Sequence, residues 1–126
     1  MRVLTLVARL LLGVMFLVFG LNGFLNFLSM GPAPTGLAGQ FIGALFVSHY
    51  YWAIAALQVV GGVLLIVGRY VPLALVLIGP IIVNILLYHI FLMPAGIVLA
   101  LVATILWFIV FYSYRQYFSG IFVQRA

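Results

Sequence analysis

The sequence contains no aspartate, glutamate, lysine or cysteine. Without a carboxylate the chain can form no side-chain salt bridge of its own and no paired-acid catalytic centre. It also lacks the intramembrane acid on which proton-coupled pumps normally rely. Without cysteine it has no disulfide, thiol relay, covalent c-type haem attachment or thiolate-ligated cluster. Its two histidines, with no acid or thiol beside them, make a poor zinc set. There is no phosphate-cradling glycine loop and no nucleophile next to a base. A freestanding hydrolase or transferase is therefore not expected.

What remains is overwhelmingly apolar. Of 126 residues, 69% are hydrophobic and 4% are charged, and the mean hydropathy is +1.47. Soluble domains carry about 25% charged residues. A chain this short could not hide so much apolar surface from water, so its solvent is lipid. Length allows a single membrane domain, 1–126. The net charge of +5 comes from isolated arginines at the edges of apolar runs, which is unlike a nucleic-acid footprint. Each arginine must meet a lipid phosphate, a helix-end carbonyl, water or a partner.

A membrane helix needs about 20 mostly apolar residues. Four segments qualify: about 10–28, 51–68, 72–92 and 97–114. The start resembles a signal peptide but has no A-x-A cleavage pattern, and is expected to be a retained first span. Met30-Gly31-Pro32-Ala33-Pro34-Thr35-Gly36 is a turn-rich breaker. The apolar run after it, about 37–47, is too short to cross and should form a short extra helix. The fold expected is thus all-α: a four-transmembrane-helix bundle with a short helix between helices 1 and 2. Arg2 and Arg9 precede the first span, Arg69 separates the second and third, and Arg115 and Arg125 follow the fourth. All five fall on one side, and the positive-inside rule makes that side, with both termini, cytoplasmic.

This threading gathers the polar side chains in the outer half. Asn22 and Asn26 lie on helix 1, Gln40 in the outer connection, His49 and Gln58 on helix 2, and Asn84, Tyr88 and His89 on helix 3. Asn84 and Tyr88 share a face, and Gln58 should lie at a similar depth. An unpaired amide in hydrocarbon is costly, so two readings stand. In one, these groups bridge helices at about 0.6–2 kcal/mol each. In the other, Asn22, Gln58, Asn84, Tyr88 and His89 line a pocket for a quinone headgroup. The histidines read as interfacial residues or proton carriers, and haem is not expected. Gly61-Gly62 permits close backbone approach, as does Gly39-x-x-x-Gly43 more weakly. Gly79-Pro80 should kink helix 3. Tyr50, Tyr51, Trp52, Trp107, Tyr112, Tyr114 and Tyr117 read as aromatic belts.

Four stretches carry a family resemblance: RLLLGVMFLVFGLNGFLNF (9–27), GQFIGALF (39–46), ALQVVGGVLLIVGRYVPLALVLIGPIIVNILLYHIFL (56–92) and YRQYF (114–118). The GG-x-L-L-x-x-GR-x-x-P core, followed by N-x-x-x-x-H, resembles the DoxX-like family of small bacterial integral membrane proteins. That resemblance implies a four-helix membrane bundle in the bacterial inner membrane. It also implies an association with membrane oxidoreductase assemblies, including a quinone-reducing thiosulfate-oxidising system, and with oxidative-stress complexes. Relatives often carry a carboxylate where this chain has Gln58 and another where it has Gln116. The leading expectation is a non-catalytic membrane subunit supporting a redox partner, with a quinone-accessible pocket. The alternatives are an oligomeric small-solute carrier or exporter, and a purely structural assembly subunit of a larger membrane complex.

Overall fold

The computed structural model of the chain describes residues 2–25, 35–122 and 124. These form five α-helices: α1 (Arg2–Leu25), α2 (Gly36–Val47), α3 (Tyr50–Val67), α4 (Val71–Phe91) and α5 (Ile97–Ser113). A 3₁₀ segment, Arg115–Phe122, follows. No strand occurs among the described residues. Asn26 and Arg125, and most of the expected breaker, lie outside them.

α1, α3 and α4 are each long and apolar enough to cross a membrane; α5 with the 3₁₀ segment, bent by 87°, supplies a fourth candidate. α1 begins already at Arg2 rather than near Leu10. Its 24 residues make about 36 Å of helix, more than the roughly 30 Å hydrocarbon core needs. The exposed faces are largely apolar, with Val3, Val60, Val76, Val83 and Ile105 all outward. Such surfaces are stable against lipid and not against water.

The spanning helices form a ring in which α1 contacts α3 and α5, and α4 contacts α3 and α5. α1 and α3 run antiparallel: Gly13 lies against Gly62 and Ile66, Gly20 against Ala55 and Val59, and Gly23 against Tyr51. The core between the helices is Leu12, Phe16, Leu65, Leu75, Ile78 and Val110. α2 packs on α3, and Phe41 stacks on Tyr88 of α4 at 5.8 Å.

The α3–α4 turn is closed by glycine and proline chemistry. Gly68 is left-handed (φ 80°) and gives its N–H to Leu64 O at 2.9 Å, the usual helix stop. Pro72 follows in the first turn of α4, where its missing N–H costs nothing. α4 then continues as one helix through Gly79-Pro80. The bare Gly79 leaves room for the Trp107 ring of α5, whose Nε1–H donates to Leu75 O at 3.1 Å. Trp107 is thus half-buried in the α4–α5 seam, stacked on Phe111 at 5.2 Å, rather than part of a belt. Trp107→Phe keeps the ring and loses the donor. It is expected to lower stability by about 1 kcal/mol, read as a lower melting temperature in detergent; an unchanged melt would mean that the bond contributes nothing.

Candidate functional site

The two ends of the bundle differ in chemistry. One end holds the arginines. Arg9 donates from Nη1 to Leu65 O and to Ile66 O (the latter at 3.3 Å) in the last turn of α3. Arg115 donates to Tyr112 O at 2.5 Å and lies 4.0 Å over the Tyr112 ring. Both therefore place a cation on carbonyls that the helix end leaves without donors. Thr5 and Ser113 link α1 to α5 through their hydroxyls at 2.5 Å. Arg69 sits in the α3–α4 turn at this end, and Arg2 begins α1.

The opposite end holds Tyr88 and His89, in the last turns of α4. His89 Nδ1 is 2.9 Å from Met93 O, and its ring lies against the left-handed Gly96 (φ 88°). Tyr88 donates to Met93 Sδ at 3.5 Å and meets the His89 ring edge-on at 5.1 Å. Together they tie the end of α4 to the turn before α5 and, through Phe41, to α2. His49 is elsewhere, left-handed (φ 62°) before α3 and packed on Trp52 at 4.5 Å. Among the described residues no group of three metal-ligating side chains forms.

The amides diverge. Gln58 is buried, 4% exposed, and its Oε1 has no hydrogen-bond partner. Asn84 is exposed. Its Nδ2 donates to Pro80 O at 2.8 Å, and it shares the outward stripe of α4 with Pro80, Val83 and Leu87. Asn22 is half-buried near the end of α1. Tyr88 and His89 are therefore brought together, while Gln58 and Asn84 face opposite ways: one into the bundle, one out of it.

Sequence reasoning did not single out Gly13, which lies against Gly62, or Gly20, which lies against Ala55 and Val59 in the same α1–α3 seam. Their seven-residue spacing was the available signal. Nor did it single out Thr5 and Ser113, whose pairing joins the two ends of the chain. In α2, by contrast, the position of a Gly43 Cβ is open space, so that glycine marks no close contact.

Comparison with known proteins gives one result. The family model for DoxX matches residues 4–91, which takes in α1 to α4 and leaves α5 and the 3₁₀ segment outside. No curated protein and no solved structure matches.

Proposed function

The chain belongs to the DoxX family, and we propose that it serves as a non-catalytic membrane subunit. It would anchor a redox partner in the bacterial inner membrane, with the arginine end cytoplasmic. The observation that carries this reading is Asn84. Most other polar side chains of the described spans are engaged within the protein: Thr104 on Ala100 O, Trp107 on Leu75 O, His89 on Met93 O. Asn84 instead stands on an exposed face, three residues past the middle of a 21-residue span by helix position. One of its amide hydrogens is used on Pro80 O. The other hydrogen and the carbonyl oxygen face lipid, which offers neither donor nor acceptor. A partner transmembrane helix with a hydrogen-bonding side chain at that depth would satisfy both.

The test is extraction from native membranes in mild detergent, followed by mass measurement of the intact complex. The native chain is expected in an assembly well above its own 13.9 kDa. Asn84→Leu is expected to release at least tenfold more free chain at equal expression. Monomer in both samples would remove the reading.

A second reading, a quinone site in the outer half around Gln58, Asn22, Tyr88 and His89, is favoured by the partnerless Gln58 Oε1. That acceptor would take the hydroxyl of a reduced quinone. This reading predicts quinone co-purifying with the native chain and lost in Gln58→Leu.

A further inference from the structure

At the arginine end, a cavity of about 560 Å³ opens between the first turns of α1 and the last of α5. Arg2, Thr5, Arg9, Ser113, Tyr114 and Arg115 are among its lining residues. Arg2, Arg9 and Arg115 all contribute to its lining, and the chain contains no aspartate or glutamate side chain to neutralise any of them. Arg9 and Arg115 each hold a helix-end carbonyl, which fixes their planes and leaves most of their five donors unassigned. Like charges so gathered repel one another. An anion placed among them removes that repulsion and receives several charge-assisted hydrogen bonds.

A second, shallow depression adjoins it at Tyr112. This groove of about 370 Å³, lined by Leu4, Ile105, Phe108, Ile109 and Tyr112, runs along the same α1–α5 seam. Tyr112 belongs to both. From Tyr112 to Ile105 is about 10 Å along the helix axis, directed away from the arginines toward the middle of the span. The groove is lined by aliphatic and aromatic side chains. A cationic cup joined to an apolar slot matches an anionic headgroup joined to an acyl chain. A free inorganic anion would use the cup and leave the slot empty.

We propose that the α1–α5 seam is a binding site for one anionic phospholipid. Its phosphate sits among Arg2, Arg9 and Arg115, and one acyl chain lies along Leu4, Phe108 and Ile105. This proposal is independent of the partner reading, because the seam lies away from the Asn84 stripe of α4. It also holds whichever side of the membrane the arginines occupy.

The test is native mass spectrometry of the full chain in mild detergent. Phosphatidylglycerol, phosphatidylcholine with the same acyl chains, and inorganic phosphate are titrated separately. The native chain is expected to retain one phosphatidylglycerol in clear preference to phosphatidylcholine. Each arginine near a membrane surface is worth about fivefold in binding an anionic lipid. Arg2→Gln with Arg115→Gln should therefore reduce phosphatidylglycerol retention by about 25-fold and leave phosphatidylcholine unchanged. Arg115→Lys keeps the charge and should keep most of the preference, which separates loss of binding from loss of fold. Leu4→Trp fills the slot and should weaken phosphatidylglycerol without affecting phosphate. Equal retention of the two lipids, or full retention of phosphatidylglycerol by the double variant, would overturn the proposal. So would inorganic phosphate binding as tightly as the lipid.

Discussion

Gly62→Ala is expected to lower the stability of the bundle by about 1–3 kcal/mol, and Gly62→Leu to prevent α1 from docking on α3. A Cβ at residue 62 would stand 2.7 Å from Gly13 O and 2.7 Å from Leu17 N. Both are backbone atoms, so no side-chain rotation relieves the clash; a whole helix must shift. The same holds in reverse at Gly20, where a Cβ would meet Ala55 O and Val59 N, each at 2.9 Å. In lipid, helices associate by close packing and not by expulsion of water. A gap opened along this seam therefore removes much of what joins α1 to the rest. The helix-propensity gain of alanine over glycine, up to about 1 kcal/mol, works the other way and is smaller. Gly61→Ala should be milder, because its Cβ would meet the flexible end of Ile78. Gly43→Ala, with nothing within 4 Å, should be neutral. Thermal melts of the four variants in one detergent give the ranking, and a Gly62→Ala melt equal to that of Gly43→Ala would refute the seam.

Gln58→Leu is expected to stabilise the protein by about 1–2 kcal/mol. The side chain is buried and its Oε1 has no donor. A buried acceptor without a partner costs its lost solvation, whereas leucine fills a similar volume with no polar atom. The sign of the effect separates the two functional readings. If Gln58 binds a quinol hydroxyl, Gln58→Leu loses co-purifying quinone and lowers the melting temperature of the protein as extracted. If no ligand is bound there, the melting temperature rises.

The all-helical class and the presence of several apolar helices long enough to span were readable because lipid imposes length and apolarity. The short α2 followed from its eleven or twelve apolar residues. The gathering of Arg2, Arg9, Arg69 and Arg115 at one end followed from their placement between runs. The rotation of each helix about its own axis was not readable. A helix in water shows its buried face as an apolar stripe, but α4 is apolar on every face over most of its length. The expectation that Asn84 would join Gln58 rested on depth and on the cost of an unpaired amide. Depth leaves the face free, and the side chain meets part of that cost locally on Pro80 O. Trp107 is a similar case: tryptophan in a membrane helix suggests a belt, and only the space above Gly79 reveals a donor bonded to Leu75 O across the α4–α5 seam.

A partner docked on this chain should cover the Asn84 stripe of α4 in the membrane. The chain has no cysteine, so single-cysteine scanning is clean. Val83→Cys and Leu87→Cys place a thiol on the stripe; Val60→Cys and Val63→Cys place one on exposed α3 positions. Native membranes are treated with a short bifunctional thiol–photoreactive crosslinker and the adducts identified by mass. Adducts to a partner protein are expected from the two α4 positions, few from α3, and these should be lost when Asn84→Leu is added. Adducts to a second copy of this chain, equal labelling from both helices, or adducts unchanged by Asn84→Leu would contradict that docking.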